Sequence, residues 1–295
     1  MIARTHARHL RRRPGRRREP ALHRRQRRGG AGGGGGGGAG GARRVVDGSQ
    51  LLAQAVVAAD KAFPDHTARS AHMMFASAAD PGAPLDFTVT PVKAGRSFAF
   101  TTVTAAQGER VRATANVLLD RPSPDVVRHD HWTGPAPAGP EAAFPSPMPL
   151  PGRELRLEGV RRRDDPDEVG PPVLDAWLRY DPVPARDDLC RALLAHFTGH
   201  LSLSTTMRPH PGVGTAQSHH TLSTAPLAIG IHFHEPLTWD GWIRYHHQST
   251  YAGAGMSHVR GQILTRDGRL IASFTQDAML RAFDSQPAMP VESRL

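Results

Sequence analysis

Asp47, Gly48, Ser49 and Gln50 stand at the head of an Ala- and Leu-rich stretch, Gln50 to Ala59, that has no interior Gly or Pro and reads as a helix. A buried helix start offers backbone N–H groups that can be aimed at a carbonyl oxygen. Gly48 would let a ligand approach that backbone closely, and Gln50 follows within the first turn. Asp47 can hold a water as general base or simply cap the helix; the residues alone leave both roles open. Far downstream, Gln276 cannot be a base. Its amide can orient a water or donate to an oxyanion, or it can be an ordinary strand glutamine on an exposed face.

Histidines are the other candidates. His196 and His200 are four apart on a second expected helix, with His210, His219, His220, His232 and His234 downstream. Metalloprotease-type spacing would place a Glu beside the first histidine, where Phe197 stands. Residues 189–234 contain no Asp or Glu to complete or orient such ligands, so no metal site and no cofactor is expected. His200 fits a general base better. No Gly-x-Ser-x-Gly elbow occurs, which disfavours a serine hydrolase of the α/β type.

These residues need elements to position them. The helix from Gln50 is apolar on nearly every face, as a helix buried all round must be. After Pro81-Gly82, the segments Phe87–Val92, Phe98–Thr104 and Val111–Leu118 are β-rich and separated by Gly-containing turns, which predicts an antiparallel meander. Nine prolines between Pro122 and Pro151 mark a linker over residues 121–152. A strand at Leu174–Tyr180, an amphipathic helix over Asp187–His200 and strands at Ile229–His234, Trp242–Gln248, Val259–Thr265 and Leu270–Thr275 then repeat the scheme. At a constant offset of 160, Ala94-Gly95-x-Ser97 falls on Ala254-Gly255-x-Ser257, Gly108 on Gly268 and Asn116 on Gln276. A duplicated α+β unit follows, one buried helix wrapped by an antiparallel sheet, twice: a double hotdog. The units are expected over residues 45–120 and 153–286, with tails at 1–44 and 287–295.

Composition removes other classes. One cysteine in 295 residues excludes a disulfide framework. No apolar run approaches the ~20 residues of a membrane span. The net charge of +10 is local: residues 1–44 carry 14 arginines and one acid, while the remainder is mildly acidic. That tail, with seven consecutive glycines from Gly32, is expected to be disordered, or to be upstream sequence read through a mis-assigned start. It has no aromatic residue to stack on a base, so no specific nucleic-acid partner is expected.

Taken together, Gly48-x-Gln50-Leu51-Leu52-x-Gln54-Ala55, Gly95-x-Ser97-Phe98, Arg208-Pro209-His210, Phe233-His234-x-Pro236, Trp242, Val259-Arg260-Gly261 and Asp267-Gly268-x-Leu270-x-Ala272-Ser273-x-x-Gln276 resemble the acyl-CoA thioesterase II family. The resemblance covers most of residues 44–285. It implies a double hotdog that hydrolyses fatty acyl-CoA to free acid and CoA, acting in the cytoplasm without a cofactor, and it leaves room for a homo-oligomer through the hotdog sheets. The family's catalytic set is an Asp, a Thr and a Gln. Only Gln276 matches. Counting from Arg208-Pro209-His210, the Asp position is Gly199; counting from Phe233-His234, the Thr position is Pro226, with Ser223 and Thr224 just upstream. Asp47, His200 and Thr224 are therefore the expected substitutes beside Gln276, with Gly48 and Gln50 expected at the substrate. The alternative is a hotdog protein that binds acyl-CoA with little or no turnover.

Overall fold

The computed structural model describes residues 3–7, 45–134, 136–147, 150, 152–237, 239 and 241–283. In chain order the elements are β1 (Ala3–Ala7), α1 (Gly48–Ala62), β2 (Thr67–Phe75), β3 (Leu85–Ala94), β4 (Phe98–Gln107), β5 (Arg110–Asp120), β6 (Phe144–Pro145), β7 (Arg153–Leu157), β8 (Val173–Tyr180), α2 (Asp187–Phe197), α3 (Ser202–Met207), β9 (Leu222–Phe233), β10 (Ile243–Gly253), β11 (Met256–Thr265) and β12 (Leu270–Ala282). The strands form one sheet in the order β1-β3-β4-β5-β2-β9-β12-β11-β10-β8-β7-β6. Its centre is the antiparallel β2–β9 pair. Outward from that pair, β5, β4 and β3 on one side match β12, β11 and β10 on the other. This is the double hotdog expected from the internal repeat.

In three of the four turns that mark the repeat, the backbone requires glycine. Gly108 and Gly268 both have positive φ, at 59° and 92°, in the two hairpins that correspond at the offset of 160. Gly255 does the same after β10, at 72°.

α1 is buried along its length because both neighbours are apolar. Leu52, Ala55, Val56 and Ala59 lose all contact with solvent between the sheet and α2. One polar pair crosses between the helices: Arg191 of α2 lies 3.5 Å from Asp60 of α1, and both are buried. The other oxygen of Asp60 accepts the amide of Ala68 at 2.9 Å, fixing the start of β2 against α1.

Several elements differ from expectation. β2 has little alternation and few β-branched residues, yet it is the central strand of the first half; burial of Ala68, Ala71 and Met73 holds it there. β9 begins at Leu222, seven residues before the expected start. Its Pro226 lies beyond Ala228, the last β9 residue paired with β2, and next to a bulge at Leu227, so no ladder bond on the β2 side is lost. α2 ends at Phe197, not His200, where the Thr198 hydroxyl donates to the Ala195 carbonyl at 2.7 Å and Gly199 follows. β7 emerges from the end of the Pro-rich stretch. In the first 44 residues, where no element is expected, Ala3–Ala7 runs parallel to β3. That pairing needs only backbone groups at an open edge, which composition does not report. The expected disorder over 8–44, and the expected tail at 287–295, lie outside the described residues.

Candidate active site

The start of α1 meets the end of α2. Asp47 caps α1, its Oδ1 accepting the Ser49 amide at 2.8 Å and the Ser49 hydroxyl at 2.7 Å. Its second oxygen, Oδ2, is 3.4 Å from Nε2 of His200. Capping and a chemical role are therefore not alternatives for this side chain, because each uses a different oxygen. The carboxylate is 43% exposed, whereas the imidazole is 10% exposed.

His200 is held from behind. Its ring stacks on Phe197 with centroids 5.3 Å apart and planes 11° from parallel, and His196 meets it edge-on at 4.9 Å. Burial pushes His200 down to about 4; the Asp47 charge opposes this, and His196 and Arg153 reinforce it. Burial also lowers His196. For Asp47, desolvation would raise the carboxyl, but His200 and the Ser49 hydrogen bonds outweigh it and hold it below its ordinary value.

The three positions that correspond to the expected catalytic set gather around this point. Gly199 abuts Ser49: a Cβ added there would lie 2.8 Å from the Ser49 Cβ and 3.3 Å from Cδ1 of Ile229. Ile229 is directly opposite Gln276 across the β9–β12 ladder. Gln276 is 1% exposed, and neither end of its amide has a hydrogen-bond partner. A buried amide with no protein partner is unusual and is placed to hold a water or a ligand. Pro226 touches the other side of the helix start, 3.3 Å from where a Gly48 Cβ would be.

The bulge at Leu227 sets which β9 residues face this space. Without it, Ile229, Leu227 and Ala225 would share a face; with it, Ile229, Pro226 and Thr224 do, opposite Gln276, Ala278 and Leu280. Thr224 is buried and on the right face, but four residues from Gln276 along the ladder, or about 13 Å at strand rise. The structure thus brings Asp47, His200 and the Gln276 strand together and leaves Thr224 further along. Gly48 also departs from its expected use. The space beside it holds the Phe75 ring, 3.0 Å from an added Cβ, and Pro226, so its missing side chain admits protein atoms. Gln50 donates its amide to the Asp47 carbonyl at 3.1 Å within the first turn.

Two residues here escape sequence reasoning. Ser49, fully buried, bridges Asp47 and Gly199; its position after Asp47 was the available signal. Arg153 of β7 lies over the Phe197 ring at 5.8 Å, with Nε and Nη1 buried and unpartnered. Nothing near it in the Pro-rich segment announces that role. His196, His200 and Asp47 each offer one ligand atom within 4.8 Å of the others, so a carboxylate does stand beside the two histidines. The acid-free stretch 189–234 concealed it because the acid comes from the other half of the chain.

Residues 40–119 match the acyl-CoA thioesterase N-terminal domain and residues 128–280 the acyl-CoA thioesterase C-terminal domain. The chain belongs to the acyl-CoA thioesterase family. It is 26% identical over 262 residues to acyl-coenzyme A thioesterase 8 of Mus musculus, covering 79% of each chain. It is 25% identical to acyl-CoA thioesterase 2 of Haemophilus influenzae, covering 80% of this chain and 87% of that one. The fold is similar to that of acyl-CoA thioesterase II TesB2 from Mycobacterium marinum, with TM-score 0.68, 24% identity and coverage of 83% and 92%. A hotdog-fold protein from Alicyclobacillus acidocaldarius gives TM-score 0.60 at 21% identity, with coverage of 80% and 87%. Within a thioesterase family, a site built from a carboxylate, an imidazole and an amide is suited to thioester hydrolysis. The motif Arg208-Pro209-His210 has a structural role: Arg208 donates to the carbonyls of Val173 and Gly159, and Gly170 leaves it room.

Proposed function

We infer that the chain hydrolyses fatty acyl-CoA with Asp47 as general base and Gln276 as the group that holds the attacking water or the developing oxyanion. The carrying observation is the contact of Ser49 with Gly199. The second half has no acid at that position, and the start of α1 delivers Asp47 beside it. In this reading Asp47 takes a proton from water as the oxygen attacks the thioester carbonyl. The tetrahedral oxyanion collapses, the C–S bond breaks, and the CoA sulfur leaves and takes up the proton. His200 fixes Asp47 through Nε2 and keeps the carboxylate turned to the site. A general base contributes ~10²–10⁴ in rate. A cytoplasmic place in fatty-acid metabolism fits this chemistry, and the absence of any described helix long and apolar enough to cross a membrane is compatible with it. Met74, Phe98 and Leu118, exposed on the outer face of the first-half sheet, support a homo-oligomer through the sheets.

A panel of acyl-CoAs with a thiol-reactive dye tests the reading. Thiol release that falls in Asp47→Asn supports it. Thermal stabilisation by acyl-CoA without thiol release would replace it with binding alone.

A further inference from the structure

We propose that Asp47, His196 and His200 form a binding site for one divalent transition-metal ion of the zinc class, with an open coordination position toward solvent. The ligand atoms of all three residues lie within 4.8 Å of one another. In a tetrahedral zinc site, metal–ligand distances of ~2.0–2.2 Å place neighbouring ligand atoms about 3.4 Å apart. Asp47 Oδ2 and His200 Nε2 already stand at 3.4 Å, so only the wider spacings, up to 4.8 Å, must close, by up to about 1.4 Å. Two imidazoles and one carboxylate on one side of an ion are a donor set that suits zinc, cobalt, iron or nickel. Calcium and magnesium, which demand oxygen ligands, are disfavoured.

The three groups are held by packing and by the helix cap; the far nitrogen of His200, Nδ1, is buried without a protein partner. Oδ1 of Asp47 is occupied by Ser49, which orients Oδ2 toward the histidines. His200 is stacked on Phe197, and the turn that carries it past the end of α2 keeps the His196 ring 4.9 Å away. The buried imidazoles and the partly exposed carboxylate leave the side toward solvent as the route of entry and as the place for a fourth ligand. Gly199 is the condition for the whole arrangement, since any larger residue there would push Ser49 and the capping Asp47 away from α2. The nearby Arg153 charge opposes a cation and sets a limit on affinity.

This inference goes beyond hydrolysis and stands on ligand geometry alone. The test is titration of the metal-stripped full chain with Co²⁺, read by the visible absorption of a low-coordinate cobalt site and by competition with Zn²⁺. One ion per chain is expected, with affinity reduced at least ~10-fold in both His196→Ala and Asp47→Asn, since even removing an outer-shell partner of a ligand costs that much. His196→Gln serves if the alanine variant does not fold. Failure of the wild-type chain to bind Co²⁺ overturns the proposal. Binding that is equal in the wild type and both variants does so too, because it would place the ion on other histidines. Thiol release is measured separately on the metal-stripped and the Co²⁺-loaded chain, because an ion here would occupy the Asp47 oxygen and His200 nitrogen that the hydrolytic reading uses. Hydrolysis lost in Asp47→Asn without any Co²⁺ binding by the wild type would leave only the hydrolytic reading standing.

Discussion

Asp47 and His200 meet across the two halves of the duplicated fold, Oδ2 to Nε2 at 3.4 Å, although one precedes the first helix and the other follows the second. The contact exists because Gly199 lets Ser49 close on the end of α2. It joins a helix cap to a buried imidazole and puts a carboxylate where the second half has none.

Asp47→Asn should lower thiol release by ~10²-fold or more, while unfolding changes little because Asn also caps a helix well. Steady-state turnover and a denaturation curve on the same sample check both halves of the statement. Full activity in Asp47→Asn together with none in His200→Ala would move the base to His200.

Gln276→Leu should abolish most hydrolysis yet raise the melting temperature. The leucine replaces an amide whose two ends are buried without protein partners, and a buried polar group without a partner costs about 1–3 kcal/mol. A variant that loses both activity and stability would show that Gln276 holds the sheet together instead.

Gly199→Asp should not restore the carboxylate of the family position. Its Cβ would lie 2.8 Å from the Ser49 Cβ, and overpacking of this kind costs about 1–3 kcal/mol. Adding Ser49→Gly should recover most of that loss in a thermal melt, since the clash is with the serine side chain.

Asp60 should make a distinctive contribution to the pH dependence of stability. Burial raises it to about 6 from 3.8, with Arg191 offsetting only part of the rise. Because the folded value is the higher one, the stabilising contribution is full below about 4 and fades as pH rises through 6. The change is on the order of 3 kcal/mol. The difference between wild type and Asp60→Asn, followed by chemical denaturation from pH 4 to 7, isolates it from other titrating groups. A flat difference would remove the effect.

Much of the fold was legible because it rests on local rules. The glycines at 108, 255 and 268 mark turns that need positive φ, and the alternation in β4, β5 and β12 reports a sheet with one buried face. β2 was not legible, since Ala68, Ala71 and Met73 become strand residues only when β5 and β9 flank them.

The site divides in the same way. By itself the sequence determined that Asp47 heads a buried helix, that Gln276 holds its place in the repeat, and that the second helix region has two histidines but no acid. Those are properties of neighbours along the chain. Asp47 was already the expected substitute for the acid; only the tertiary structure decided that its second oxygen stands with His196 and His200. It also decided that Gly48 makes room for Phe75 and Pro226, and that a bulge at Leu227 turns Thr224 to the face of Gln276 but four residues along the ladder from it. The reason is that a carboxylate's partners are set by distance in space. Here that distance follows from the approach of two helices through the absent side chain of Gly199, which no periodicity or spacing along the chain encodes.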